Sequence, residues 1–200
     1  TIDASGNKGG VVLIGGDYQG KNTNIQNAAQ TYVSTLSSIN ADAIQQGDGG
    51  KVIIWADDST RYSGSISAKG GARSGNGGLV EVSGKKNLSF DGMVNTSALH
   101  GEAGTLLLDP DDLYISNGVS VCGGDPSCFE DASNPFEAPS GTNSFYVTKA
   151  SLEAISADTD IILSANRDII FNTSLTLITA NPNIVTFTAT RNILMQGNNL

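Results

Sequence analysis

The chain has 200 residues and a formal net charge of −9, and only 16% of its residues are charged, whereas 24 are glycine. This length fits one domain or one stretch of a longer array, and the glycine-rich composition favours strands and turns over helices. The acidic balance argues against a nucleic-acid-binding protein, which needs a clustered basic face, and against adsorption to anionic membranes. No apolar run reaches about 18 residues, so no membrane-spanning helix is predicted.

A short phrase returns four times along the first half of the chain. It pairs a β-branched residue with a small one two positions later, and it begins at Ile2, Ile39, Ile66 and Val94. Glycines and an apolar strand follow each time, at 11–14, 51–55, 79–82 and 105–108. The phrases are spaced by 37, 27 and 28 residues. Repeats of this length are typical of stacked units that bury a shared core only by lying on their neighbours.

The apolar strands align into two columns that are predicted to face the interior. Because side chains alternate along a strand, positions two residues apart share a face. The first column contains Val12, Val52, Val80 and Leu106, and the second contains Ile14, Ile54, Val82 and Leu108. The first repeat is about ten residues longer than the next two, which predicts an irregular excursion near 18–32.

Between these columns lies a third column that is predicted to face outward. Its members are Leu13, Ile53, Glu81 and Leu107, and Trp55 follows on the same face. Exposed apolar stripes usually indicate a partner or a covering segment. Leu13, Ile53, Trp55 and Leu107 are therefore a candidate partner-contact face, and the alternative is that the insertion after Asp109 folds over them. Glu81 is predicted to face solvent.

The pattern divides the chain into three regions. Residues 1–108 are β-helix coils with Gly-Gly repeats, and 109–147 are an irregular insertion with both cysteines and four of the five prolines. Residues 148–200 contain a short helix and further coils. Thr148 is placed to N-cap a helix over 149–155, and an Ala-x-Arg-x-Ile phrase recurs 24 residues apart, at Ala165 and Ala189.

If each strand pairs with the equivalent strand one circuit later, neighbouring strands run in the same direction and the sheet is parallel. An antiparallel sandwich would instead need hairpin signals between its strands. The predicted fold is therefore all-β: a right-handed parallel β-helix solenoid of seven or eight coils, with an irregular disulfide-containing insertion and one short helix.

Several stretches resemble large filamentous-haemagglutinin-like exoproteins. They are 49–57 (Gly-Gly-Lys-Val-Ile-Ile-Trp-Ala-Asp), 77–84 and, most typically, 104–110 (Gly-Thr-Leu-Leu-Leu-Asp-Pro). The resemblance implies a β-helix secreted by the two-partner route through an outer-membrane transporter, and located outside a Gram-negative-type cell or on its surface. It implies adhesion to surface proteins or glycans of a host or neighbouring cell, or end-to-end association in a filament. It carries over no catalytic residue and no cofactor.

A carbohydrate-active enzyme is the alternative, because β-helices also carry lyases and hydrolases that use carboxylates together with Lys or Arg on one face. The candidates are Glu81, Asp91 and Arg61. A single carboxylate in an aliphatic column is not a catalytic pair, so no enzyme is expected.

The acidic group Asp109, Asp111 and Asp112 could offer oxygen ligands to calcium. Its spacing matches neither a helix-loop-helix calcium loop nor a calcium-binding β-roll repeat. Solvated turn carboxylates are therefore the expectation, and no metal site is predicted.

Cys122 and Cys128 lie close together in the insertion, and the only histidine, His100, is remote in sequence. In an exported chain this arrangement predicts a disulfide. The loop is small, so the bond should stabilise the fold by about 2–3 kcal/mol. Thiol titration of secreted protein under denaturing, non-reducing conditions should find no free thiol, and two free thiols would contradict the prediction.

Overall fold

The computed structural model describes residues 1–117, 145–155, 157–177 and 183–196. The strands of the first half are β1 (Ile2–Asp3), β2 (Val11–Ile14), β3 (Gln30–Val33), β4 (Ser38–Asn40), β5 (Lys51–Ala56), β6 (Ser59–Tyr62), β7 (Ser65–Ser67), β8 (Leu79–Gly84), β9 (Asn87–Phe90) and β10 (Met93–Asn95). The later elements are β11 (Thr105–Leu108), β12 (Leu113–Ser116), β13 (Val147–Thr148), α1 (Lys149–Ile155), β14 (Asp160–Ala165), β15 (Asp168–Phe171), β16 (Val185–Ala189) and β17 (Asn192–Met195).

These strands form three parallel sheets that the chain visits in turn. Sheet 1 has the order β1-β4-β7-β10, sheet 2 has β16-β14-β11-β8-β5-β2, and sheet 3 has β17-β15-β12-β13-β9-β6-β3. Neighbours in each sheet come mainly from successive circuits, and equivalent repeat positions stack, as Ile39 does on Ile66 and Val52 on Val80. The prediction of a parallel β-solenoid is therefore confirmed.

The solenoid has about five turns, fewer than the seven or eight coils that the sequence predicted. Sheet 2, which every circuit crosses, holds six strands in the described residues. Segment 15–29 and α1 add no strand to the stack, which lowers the count, and residues 118–144 lie outside the described part of the chain.

The two inward columns form the core, as predicted. Val52, Val80 and Leu106 are fully buried between the sheets, and so is the second column at Ile54, Val82 and Leu108. Burying such side chains stabilises the fold by about 1.5–3 kcal/mol each. On sheet 3 the rings of Tyr62 and Phe90 stack with their centroids 5.1 Å apart.

The glycine pairs lie where the chain turns from sheet 1 into sheet 2, and successive coils touch there through their backbones. A Cβ on Gly50 would lie 2.1 Å from the carbonyl oxygen of Gly10, and one on Gly78 would lie 2.1 Å from that of Gly50. No side chain fits at that distance, so the repeat requires glycine at this corner.

The region predicted as an insertion, 109–147, contains the regular strand β12. Strand β13 follows it in sequence but lies between β9 and β12 in sheet 3, where Val147 pairs with Phe90 and Ile115. Cys122 and Cys128 fall outside the described residues, so their disulfide remains a prediction.

Helix α1 confirms the predicted short helix, and the Ser151 N–H donates to Thr148 Oγ1 at 3.3 Å, as the N-cap prediction requires. The helix packs beside β10 and buries Leu152 and Ile155 in the core, where another strand of sheet 1 would otherwise lie. Within the described ranges, no helix has the length and apolarity needed to span a membrane.

The register can be tested with one substitution at two positions. Val80→Asp should lower the free energy of unfolding by more than about 4 kcal/mol, because it buries an unpaired charge. Val11→Asp, at a site that is 63% exposed on the outermost strand of sheet 2, should change it by no more than about 0.5 kcal/mol. Urea denaturation measures both values, and equal losses would show that the register is wrong.

Candidate functional site

The outer face of sheet 2 is covered by segment 15–29, which we call the strap. It leaves the end of β2, forms a short 3-10 turn at Tyr18–Gly20 and returns to the coil at β3. Gly20 has a φ of 63° and lies against the indole of Trp55, since a Cβ there would be 2.6 Å from the ring. The sequence predicted an excursion here from the longer first repeat, but not where it would lie.

The strap changes the interpretation of the outward column. Ile53, Trp55 and Leu107 point away from the core, as predicted, but are only 0%, 4% and 5% exposed, and Leu13 is half-buried. These four residues are therefore not an open partner-contact face. Over β5 a covering segment is present, and it is the strap.

Polar contacts hold the strap on the sheet. Lys51 Nζ donates to Asp17 Oδ1 at 2.5 Å, and this ammonium group holds the pKa of Asp17 well below its usual range. The backbone N–H of Gln19 donates to Glu81 Oε2 at 2.9 Å, while its side-chain amide donates to Asp109 Oδ2 at 2.8 Å. The strap thus contacts β5 and β8, which are neighbours in sheet 2, and the residue that follows the next strand, β11.

Glu81 is fully buried beneath the strap, so the prediction that it faces solvent is wrong. The alternation of the strand gives the side of the sheet correctly, but it carries no information about a segment that lies over that side. Burial raises the pKa of Glu81 to about 7, and the hydrogen bond from Gln19 opposes that rise only in part.

The three residues considered for catalysis do not share one cleft. Glu81 lies on sheet 2, under the strap. Arg61 lies on sheet 3, is 3% exposed and places its guanidinium 4.5 Å from the centre of the Phe145 ring. Asp91 accepts a hydrogen bond from Thr148 Oγ1 at 2.9 Å, at the start of α1.

The acidic group after β11 is used in three separate contacts. Asp109 accepts from Gln19, Asp111 accepts from Asn166 Nδ2 at 3.1 Å, and Asp112 forms an ion pair with Arg167. In the part of the chain that the structure describes, no three His, Cys, Asp or Glu side chains are grouped as a metal site would require.

A polar cleft of about 480 Å³ opens beside the strap. It runs from β5 across β8 and β11 to β14, which corresponds to about 14 Å along the stack. Its lining comes from the sheet, the following turns and the strap, and consists of Trp55, Asp109, Ser164, Asp57, Lys85, Asn166, Gln19, Gly20 and Lys21. The sequence analysis singled out Trp55 and Asp109 for other reasons and missed most of the rest, because strand alternation does not show which turn residues of successive coils meet the strap.

No protein-family model matches the chain, and no curated protein matches it in sequence. The structure is compatible with a β-helix repeat protein. The resemblance to haemagglutinin-like exoproteins therefore rests on the sequence phrases alone.

The buried carboxyl group predicts a specific pH dependence. Since the folded pKa of Glu81 is about 7 and its ordinary value is 4.5, the folded state keeps a proton that the unfolded state has lost. Stability should therefore fall as pH rises from about 4.5 to 7 and stay lower above that window. Relative to the parent protein, Glu81→Gln should gain up to about 3 kcal/mol in unfolding free energy between pH 5 and pH 8.5.

Urea denaturation at the two pH values measures this gain. Glu102→Gln is the matched control, because Glu102 is exposed and its substitution should have the same effect at both pH values. A Glu81→Gln protein that loses stability relative to the parent as pH rises would contradict the assignment.

Proposed function

We propose that the chain is a structural and adhesive segment of a secreted bacterial surface exoprotein. The observation that carries the proposal is the stack of parallel coils, in which equivalent residues of successive repeats lie in register. Such a solenoid is a scaffold that contacts partners through its faces and loops. The haemagglutinin-like phrases fit a secreted location.

The proposal includes an exporting partner and an adhesive target. An outer-membrane transporter would export the chain, and a protein or glycan on a host or neighbouring cell would be the adhesive target. The net charge of −9 favours neither nucleic acid nor anionic lipid as that target.

Adhesion can be tested with beads that carry the folded protein. We expect these beads to attach to cultured epithelial cells or to bacterial cells more often than beads that carry the same protein after heat denaturation. Equal attachment of the two kinds of bead to both cell types would overturn the adhesive function.

A second candidate function is a self-assembling filament subunit, and the ends of the described stack favour it. Strands β16 and β17 are edge strands at one end, and β2 and β3 are edge strands at the other. An apolar groove of about 320 Å³ lies beside β16 and β17 and is lined by Phe171, Leu175, Leu177, Phe187, Ile193 and Met195 together with two polar residues. Because all strands run in parallel, the first edge of one copy can pair with the last edge of another, which gives an open, head-to-tail contact.

End-to-end association predicts that the sedimentation coefficient rises with protein concentration. Met195→Lys should weaken association by at least about tenfold, because Met195 is 65% exposed in the groove and the substitution would bury a charge in the contact. Leu36→Lys is the control, since Leu36 is 90% exposed in a turn outside the groove. A monodisperse parent monomer at high concentration would exclude the filament.

A further inference from the structure

We propose that the polar cleft beside the strap binds a neutral, linear saccharide. The proposal rests on the adhesive function for its biological role, but the binding itself can be measured on the isolated protein.

The floor of the cleft offers side chains from paired strands of sheet 2 and from the turns that follow them. It lies across the middle of sheet 2, where the strands β5, β8, β11 and β14 are each paired on both sides. An extended peptide recognises a sheet through an unpaired edge, and this floor has none. These strands can therefore meet a ligand through their side chains and not through their backbone ladders.

The polar groups of the floor repeat at the spacing of the strands. Trp55 lies on β5, Lys85 follows β8, and the pairing of Leu108 with Leu163 places Asp109 beside Ser164 on β14. The spacing between neighbouring strands is about 4.8 Å, which is close to the length of one pyranose unit. A chain of sugar units laid along the stack would thus meet a new polar group at each coil.

The charges of the cleft favour a neutral ligand. The ammonium groups of Lys21 and Lys85 are balanced by the carboxylates of Asp57 and Asp109. A balanced cleft in a chain of net charge −9 offers no general attraction for a polyanion. Hydroxyl groups both donate and accept, so they can bond to carboxylates, ammonium groups and amides alike.

The two carboxylates are held in place by contacts of their own. Asp109 accepts from the Gln19 amide at 2.8 Å, and Asp57 accepts from Trp55 Nε1 at 3.1 Å and from Asn27 Nδ2 at 2.9 Å. An ionised carboxylate has about four acceptor positions, so each keeps capacity for ligand hydroxyls. Groups that are fixed in advance lose less entropy when a ligand binds.

Trp55 provides the readout, because it is the only tryptophan in the chain and it lines the cleft. The protein is titrated with four neutral trisaccharides: maltotriose, cellotriose, chitotriose and laminaritriose. We expect at least one to change the Trp55 fluorescence in a saturable manner, and trigalacturonate to bind at least about tenfold more weakly than that sugar.

Substitutions then locate the site. Asn166→Ala and Asp109→Asn should each weaken binding by at least about tenfold, with the fold checked by circular dichroism. Of the two substitutions, Asn166→Ala disturbs the fold less, because Asn166 is exposed and is not one of the residues that hold the strap. Glu102→Ala, at an exposed turn residue outside the cleft lining, should leave binding unchanged.

Three results would overturn the proposal: no saturable change with any neutral trisaccharide at tens of millimolar, binding that persists in both cleft variants, or equal binding of trigalacturonate. The two proposals fail separately. If the beads adhere and no trisaccharide changes the Trp55 fluorescence, this site is excluded and the adhesive function stands. If a trisaccharide binds and the beads do not attach, the adhesive function is excluded and this site stands.

Discussion

The whole fold depends on the backbone contact between coils at the glycine corner. At Gly50 and Gly78 successive coils approach so closely that only a hydrogen atom fits in place of a side chain. This contact fixes the height of each coil to that of the next, so that the columns on sheet 2 remain in register. The buried core and the strap contacts require that register, and so does the regular spacing of the polar groups that line the cleft.

The strap adds polar groups to the outer face of sheet 2, which is otherwise largely apolar. It covers Ile53 and Trp55, and it also removes the Glu81 carboxyl from water, which is costly for an ionised group. The hydrogen bond from the Gln19 backbone N–H offsets part of that cost. The same residue forms a wall of the cleft, so any ligand there would contact a segment that Glu81 and Asp109 hold on the sheet.

Much of the fold could be predicted because its signals are local or periodic. The columns at Val52 and Val80 gave the inward face and the parallel register, and Thr148 marked the start of α1 correctly. The burial of Glu81 could not be predicted, because alternation indicates a side of the sheet but not what covers it. The cleft was missed for the same reason, since residues as distant in sequence as Gln19 and Asn166 meet only after the strap folds over the coils.

The strap also has a mechanical consequence. In a stack of parallel coils, tension along the axis loads the ladder one coil at a time, and the first coil would peel away on its own. Here Asp17 is tied to Lys51 of the second coil, and Gln19 is tied to Glu81 of the third and Asp109 of the fourth. A force on the first coil is therefore shared by the three coils that follow. The strap thus makes the four coils at this end of the solenoid resist and yield to tension together.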